Sequence, residues 1–170
     1  MKKLLLTVVI TVVAMVSMNA QTSFGVTSGY LSADAKTDIE GVKSTTSESG
    51  FYIGMVADIK ISEEFHVQPE LVYVNINDLS FMQIPIMAKF YVADKFSLQV
   101  GPEITYTLEK TYGDFTKFNL GLGLGAAYDF SEKFFIEGRY TFQANNYYTG
   151  NQDVTSRINF LNVGLGYKFN

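Results

Sequence analysis

The residues of this sequence best suited to chemistry are three glutamates and two cations on four alternating segments. They are Glu70, Lys89, Glu103, Glu137 and Arg139. Carboxylates beside cations could line a proton or ion path, or act as a general acid and base. The same residue types also form internal ion networks that replace an apolar core. We favour this structural interpretation and assign the five residues to an ion network.

Other catalytic and ligand-binding sites are limited by residue content. His66 is the only histidine of the 170 residues, and there is no cysteine. Thiolate nucleophiles, disulfides, cysteine zinc sites and sites built from several imidazoles are therefore excluded. We expect His66, which follows a short turn, to be a polar rim residue. We predict no catalytic residue, no metal, no cofactor and no enzymatic activity.

The overall charge argues against a nucleic-acid partner. The chain has 13 basic and 17 acidic residues, a net charge of −4 and a pI near 5.0. A phosphate backbone is bound by clustered positive charge, which this balance does not supply. Charged residues make up only 18% of the chain and aromatic residues 15%, so we expect a single domain that folds around, or against, something apolar.

The N-terminal segment has the three parts of a secretory signal. Two lysines precede an apolar stretch from Leu4 to Val16, and Ala20 supplies the small residue before a cleavage site. The stretch is shorter than the roughly 18 apolar residues that indicate a transmembrane helix. We predict that residues 1–20 are a signal peptide, with an uncleaved anchor as the alternative. Residues 21–170 then form one exported domain.

Apolar and polar residues alternate at period two through most of the remaining chain, which is the signal of β-strands. The clearest segments are 118–128 and 161–169, where leucines alternate with glycine or asparagine. Similar segments lie at 24–30, 51–59, 66–77, 84–90, 97–109 and 134–142. Within 66–77 the apolar set changes face, and we expect a bulge or a rim there. The sequence therefore predicts an all-β fold of eight strands.

A repeated junction indicates how these strands are connected. Ser62 to Phe65, Ala93 to Phe96 and Ser131 to Phe134 each open a strand after a short polar turn. The other connections differ in kind: a long polar segment at 33–49, a short one at 75–80, and two more at 110–116 and 144–155. Short turns at one end and longer loops at the other are typical of an up-and-down barrel.

The polar face indicates which side of the barrel faces inward. Besides charged residues it is rich in glycine, which weakens a water-exposed strand but suits a crowded lumen. We expect Gly121, Gly123, Gly125, Gly164 and Gly166 to leave room for the charged network. Apolar faces of about 9 to 11 residues match a tilted strand that crosses a bilayer. The alternative is a soluble barrel with its apolar face inward.

These features together resemble a known family. The junctions, the Gly-Leu-Gly-Leu-Gly-Ala run at 121–126 and the closing Val-Gly-Leu-Gly-Tyr-Lys-Phe at 163–169 are similar to small outer-membrane β-barrel domains of Gram-negative bacteria, OmpA/OmpX-like and PorT-like in type. The resemblance implies an eight-stranded antiparallel up-and-down transmembrane β-barrel in the cell outer membrane. It also implies that an aromatic near the C-terminus, here Phe169, is read by the barrel-assembly machinery.

The functional prediction is a non-catalytic outer-membrane barrel, in which the loops and not the lumen would contact a partner. We predict a monomer with a polar, side-chain-filled lumen and a structural or surface-interaction role. A surface partner would bind loops 34–49 and 144–155, with Tyr147 and Tyr148 as contact residues. Residues 34–49 are expected to be a flexible outer loop. The alternatives are a narrow passive pore and a soluble periplasmic ligand-binding barrel.

Overall fold

The computed structural model describes residues 22–110 and 114–169 as eight β-strands with their connections. The strands are β1 (Thr22–Ile39), β2 (Val42–Lys60), β3 (Phe65–Ile76), β4 (Leu79–Ala93), β5 (Phe96–Thr107), β6 (Phe118–Asp129), β7 (Phe134–Gln143) and β8 (Val154–Lys168). Each strand is antiparallel to the next, and β1 pairs with β8, so the sheet closes. The predicted eight-stranded barrel is confirmed. The predicted signal peptide, residues 1–20, lies outside the described residues.

The two ends of the barrel differ. Three short connections, 61–64, 94–95 and 130–133, lie at the end that also holds Thr22 and Phe169, here called the turn end. At the opposite, loop end, two-residue turns at 40–41 and 77–78 join β1 to β2 and β3 to β4, and only the connections after β5 and β7 are longer. None of the residues that the structure describes forms a helix long and apolar enough to cross a membrane.

The repeated junctions share a local hydrogen bond. The backbone N–H of Phe65 donates to Ser62 Oγ at 3.1 Å, and that of Phe134 donates to Ser131 Oγ at 3.1 Å. In each turn the serine side chain accepts a hydrogen bond from the backbone three residues later, a common stabilising contact of turns. The third copy begins with Ala93, which has no hydroxyl, and here the register between β4 and β5 shifts instead.

The bulge expected within residues 66–77 is wrong. β3 pairs with β2 in one unbroken register, from Phe51 opposite Asn75 to Lys60 opposite His66. The apolar residues that share a face with Glu70 therefore point into the barrel with it. The inward residues of β3 change from polar to apolar along the strand, and the strand itself continues without a bulge.

The flexible outer loop expected at residues 34–49 is also wrong, because these residues form a β-hairpin. It turns at Glu40 and Gly41, whose φ angles of 52° and 88° are those of a tight two-residue hairpin turn. β1 pairs with β2 and with β8 as far as Ile39. Residues 34–49 and 154–159 thus form a three-stranded extension beyond the loop end, here called the arm.

The outer wall of the barrel is apolar. Leu122 and Leu165, for example, are 48% and 59% exposed. Aromatic residues gather near both ends of this wall, with Phe134 packed on Tyr167 at the turn end and Tyr140 on Phe142 at the loop end. An apolar belt between aromatic rims is the exterior of a membrane barrel.

Candidate functional site

Arg139, on β7, lies in the lumen and is surrounded by carboxylates. Its Nη1 and Nη2 donate to the two carboxylate oxygens of Glu70, on β3, at 2.9 and 3.1 Å. Its Nε lies 3.6 Å from Oε2 of Glu103, on β5. All three side chains are buried. Two parallel bonds hold the guanidinium in one orientation, so this group links three strands across the lumen.

Neutral side chains also contact Glu103 and Glu137. Thr141 Oγ1 donates to Glu103 Oε2 at 3.0 Å. Gln68 Nε2 lies 3.3 Å from Glu137 Oε2 and also donates to Glu70 at 2.9 Å. The structure therefore brings four of the five predicted network residues together, with Glu137 attached through Gln68.

Lys89, the fifth predicted residue, belongs to a second cluster nearer the turn end. Its Nζ lies 3.7 Å from Asp58 Oδ2 and 5.6 Å from the ring centre of Phe135. Lys168 Nζ lies 2.7 Å from the same Asp58 oxygen. The alternation places Asp58 and Lys168 on the inward face, but a strand pattern does not show which inward residues meet across the lumen.

His66 lies at the turn end, where the sequence placed it. Its Nδ1 is 2.7 Å from Asp58 Oδ1, and its ring packs 4.8 Å from that of Tyr91. It thereby closes the Asp58 cluster on the side of the turns. Among the residues that the structure describes, no group of three or more acidic or histidine side chains is arranged to hold a metal ion.

A cluster of apolar side chains, here called the plug, occupies the lumen near the loop end, beside neutral polar side chains such as Gln83 and Thr107. Its buried members are Leu31, Ala33, Tyr52, Val72, Val74, Ile76, Phe81 and Phe160. The rings of Phe81 and Phe160 meet edge to face with centroids 5.7 Å apart. The sequence predicted a lumen filled by charged residues and glycine, and the plug departs from that prediction. The signal was the run of Val72, Val74 and Ile76 on the Glu70 face.

The inward glycines make room for more than the charged network. A Cβ on Gly123 would lie 3.1 Å from Arg139 Cδ, and one on Gly125 would lie 3.2 Å from Arg139 Cβ. Gly164, by contrast, faces the hydroxyl of Tyr52, and Gly166 faces the ring of Phe135. On β8 the glycines therefore accommodate aromatic rings, whereas on β6 Gly123 and Gly125 accommodate the arginine and Gly121 faces Thr141.

The predicted contact residues Tyr147 and Tyr148 are packed within the loop end. The ring of Phe115 lies 5.4 Å from that of Tyr147 and 5.5 Å from that of Tyr148. The backbone N–H of Thr116 donates to the carbonyl of Tyr147 at 2.9 Å. The two loops that bear these residues are therefore joined to each other, and both tyrosines are only half exposed.

A closed eight-stranded sheet with an apolar exterior and a filled interior defines a transmembrane β-barrel. The family model for the outer membrane protein beta-barrel domain matches residues 75–148, from the end of β3 to the loop after β7. The resemblance to small outer-membrane barrels is thereby confirmed. No curated protein matches the chain.

Solved structures of similar fold are small outer-membrane barrels. Neisserial surface protein A is 16% identical, with a TM-score of 0.51 over 87% of this chain and 99% of that chain. Ail of Yersinia pestis in a phospholipid bilayer nanodisc is 16% identical, with a TM-score of 0.51 over 88% of this chain and 100% of that chain. At this identity the similarity establishes the fold.

Proposed function

We propose that this protein is a monomeric, non-catalytic barrel of the cell outer membrane with a closed lumen and a structural or surface-interaction role. The apolar outer wall supports contact with lipid, since a water-exposed surface would gain nothing from so many exposed leucines and aromatics. Closure of β1 on β8 leaves no strand edge open to a second copy along the barrel wall, which supports a monomer.

The proposal of a closed lumen rests on one observation. A charged layer of side chains and the plug lie one after the other along the barrel axis. Arg139 and Lys89 are at most 1% exposed in the charged part. Leu31 and Val74 are 0% exposed in the plug. An ion crossing the barrel would have to displace paired charges and then pass the packed apolar side chains of the plug, which do not hydrate it. We infer that the barrel does not conduct.

The C-terminal strand supports an interaction with the barrel-assembly machinery during insertion. Phe169 is 56% exposed, and its backbone N–H donates to the carbonyl of Phe24 at 2.7 Å. Its side chain therefore faces outward from a position still in register with β1. With residues 1–20 acting as a cleaved leader, the turn end would face the periplasm and the loop end the exterior.

The arm and the joined loops are the parts we propose to meet a surface partner. Residues 34–49 stand beyond the barrel as a hairpin, and residues 144–155 follow β7 at the same end. Loops that are positioned by a rigid scaffold are common binding sites. Because Tyr147 and Tyr148 pack on Phe115, their exposed edges would provide the contact.

Membrane fractionation, gel migration before and after heating, and planar-bilayer recording test this function. We expect the protein in the outer-membrane fraction, a folded band that shifts on boiling, and no conductance steps. A matched variant that empties the plug alone, Leu31→Ala with Phe160→Ala, should also stay silent because the charged layer remains. Regular conductance by the unmodified protein would establish a pore, and solubility without detergent would establish a soluble barrel.

A further inference from the structure

The arm carries a group of cations on the face that continues the outer wall of the barrel. Lys36 on β1 lies opposite Arg157 on β8, and Lys43 on β2 lies opposite Asp38 on β1. Residues directly opposite in antiparallel strands share a face. Lys36 also has the same parity as the outward Tyr30, so this face points away from the barrel axis.

These cations lack acidic partners within the described chain. Among residues 22–110 and 114–169, no carboxylate lies within ion-pair distance of Lys36, Lys43 or Arg157. Asp38 instead accepts a hydrogen bond from the backbone N–H of Gly41 at 3.0 Å. Two like charges directly opposite each other destabilise a strand pair. The Lys36 and Arg157 pair is therefore stabilised by any anion that bridges it.

A cleft of about 490 Å³ lies beside these cations, where β7 ends and β8 continues into the arm. Lys36, Lys43 and Arg157 line it together with one carboxylate, Asp38, and the hydroxyl residues Thr45 and Thr155. The cleft therefore presents three cations against one carboxylate, with hydroxyl donors, in a chain whose net charge is −4. This combination suits phosphate oxygens.

The floor of the cleft is apolar, which separates a lipid from a free anion. Phe142 lines the cleft, is 49% exposed and packs on Tyr140 with ring centres 4.6 Å apart. Both rings belong to the aromatic rim of the outer wall. The cleft thus begins where the lipid-facing belt ends, and an amphiphile could place its chains on Phe142 and its headgroup among the cations.

We propose that this cleft binds the phosphate groups of an anionic lipid in the outer leaflet, with the acyl chains lying against Phe142. Lys36 and Arg157 would bridge one phosphate, and Lys43 would contact the same headgroup from β2. The inference rests on the proposed placement in the outer membrane, with the loop end outward. It adds to that placement a lipid class and the residues that select it.

The absence of tryptophan from the chain allows a site-specific reporter. Phe142→Trp places an indole on the floor of the cleft, and Phe118→Trp places one at the loop end of β6, away from it. Each variant is reconstituted in phosphatidylcholine vesicles that contain a bis-phosphorylated glycolipid with brominated chains, or its dephosphorylated form. Bromine quenches a nearby indole. We expect half-maximal quenching of Phe142→Trp at an about tenfold lower fraction of the phosphorylated lipid than of the dephosphorylated lipid, with no such difference for Phe118→Trp.

Removal of the cations tests whether Lys36 and Arg157 bind the phosphate groups. Lys36→Gln with Arg157→Gln should abolish the difference at the Phe142→Trp reporter. Lys110→Gln with Lys117→Gln removes equal charge from the loop end outside the cleft and should preserve it. A difference that survives the first pair, or is lost equally with the second, overturns the site. Competition by inorganic pyrophosphate as effective as that by the phosphorylated lipid would assign a soluble anion and overturn the lipid.

Failure of the proposed function is recognised separately. A protein that shows no heat-dependent change in gel migration in these vesicles has not formed a membrane barrel, which contradicts the proposed function itself. A protein that inserts normally but shows no preference for the phosphorylated lipid contradicts only the lipid site.

Discussion

The two halves of the lumen are both buried, but one is charged, whereas the other is uncharged and mainly apolar. Toward the turn end, Arg139 and Lys89 are at most 1% exposed and lie among carboxylates. Toward the loop end, Leu31, Val72 and Val74 are 0% exposed and lie among other apolar side chains. Strands β2, β3, β4 and β8 each contribute inward residues to both halves. The inward face of a membrane barrel is therefore defined by shape, and either chemistry can fill it.

The two fillings should fail in different ways. Burying charge costs desolvation, which the ion pairs offset only if each charge keeps its partner. An apolar core has no such requirement and loses stability in proportion to the volume removed. The charged half therefore specifies the relative positions of β3, β5 and β7, whereas the plug depends on close packing.

The largest effect is expected where one substitution leaves several buried charges without a partner. Arg139→Leu leaves Glu70 and Glu103 buried without their cation, and breaking such a pair costs about 3 to 5 kcal/mol. The measurement is the midpoint of urea unfolding in vesicles, followed by gel migration without heating. Glu70→Gln with Arg139→Gln removes both charges of the bidentate pair and should cost less. Equal loss in the single and double variants would show that the charges do not matter to the network.

A smaller loss is expected from the plug. Phe160→Ala removes a ring that is 3% exposed and stacked edge to face on Phe81, and a cavity of this kind costs about 3 kcal/mol. Phe118→Ala, on the outer wall and 46% exposed, should cost distinctly less in the same urea titration. If the two substitutions cost the same, the buried half is not a packed core.

Substitutions at two glycines, Gly164 and Gly138, test the boundary between the halves. A Cβ on Gly164 would collide with the Tyr52 hydroxyl and with the backbone carbonyl of Ser28, so Gly164→Ala should cost about 1 to 3 kcal/mol. Gly138 faces outward, and its added Cβ would approach only Val163, at 3.9 Å. Gly138→Ala should be neutral or slightly stabilising in the same titration. A neutral Gly164→Ala would mean that Tyr52 moves freely and does not close the boundary.

Alternation was sufficient to predict the barrel because each strand repeats the same two-residue pattern. The leucines and glycines of residues 118–128 determine their faces without any knowledge of their neighbours. The closed order of eight strands then follows from short antiparallel connections. The inward position of Glu70 and Arg139 could likewise be predicted, because it depends only on parity.

The contacts across the lumen could not be predicted, because they depend on the stagger between strands. Lys89 and Glu137 are both inward, yet Lys89 lies beside Asp58 and Glu137 beside Gln68. The plug was missed for a related reason, since an apolar residue on an inward face looks like a change of register in the sequence. The arm was missed because its polar, mixed-charge strands lack the alternation that marks the outer wall.

The smallest effect is expected at the rim of the plug and depends on pH. The backbone N–H of Ser80, the residue before Phe81, donates to Glu109 Oε2 at 2.8 Å and lowers the pKa of that carboxyl from its usual value of 4.5. A carboxylate whose pKa is lowered by folding stabilises the fold above its ordinary pKa, and this contribution is lost as the pH falls through the lowered value. Glu109 is partly exposed, so the contribution is about 0.5 kcal/mol at most. Glu109→Gln should therefore unfold at lower urea than the unmodified protein at neutral pH, and the difference should vanish in acid below the lowered pKa. A difference that persists unchanged in acid would show that the rim is held by the shape of the side chain and not by its charge.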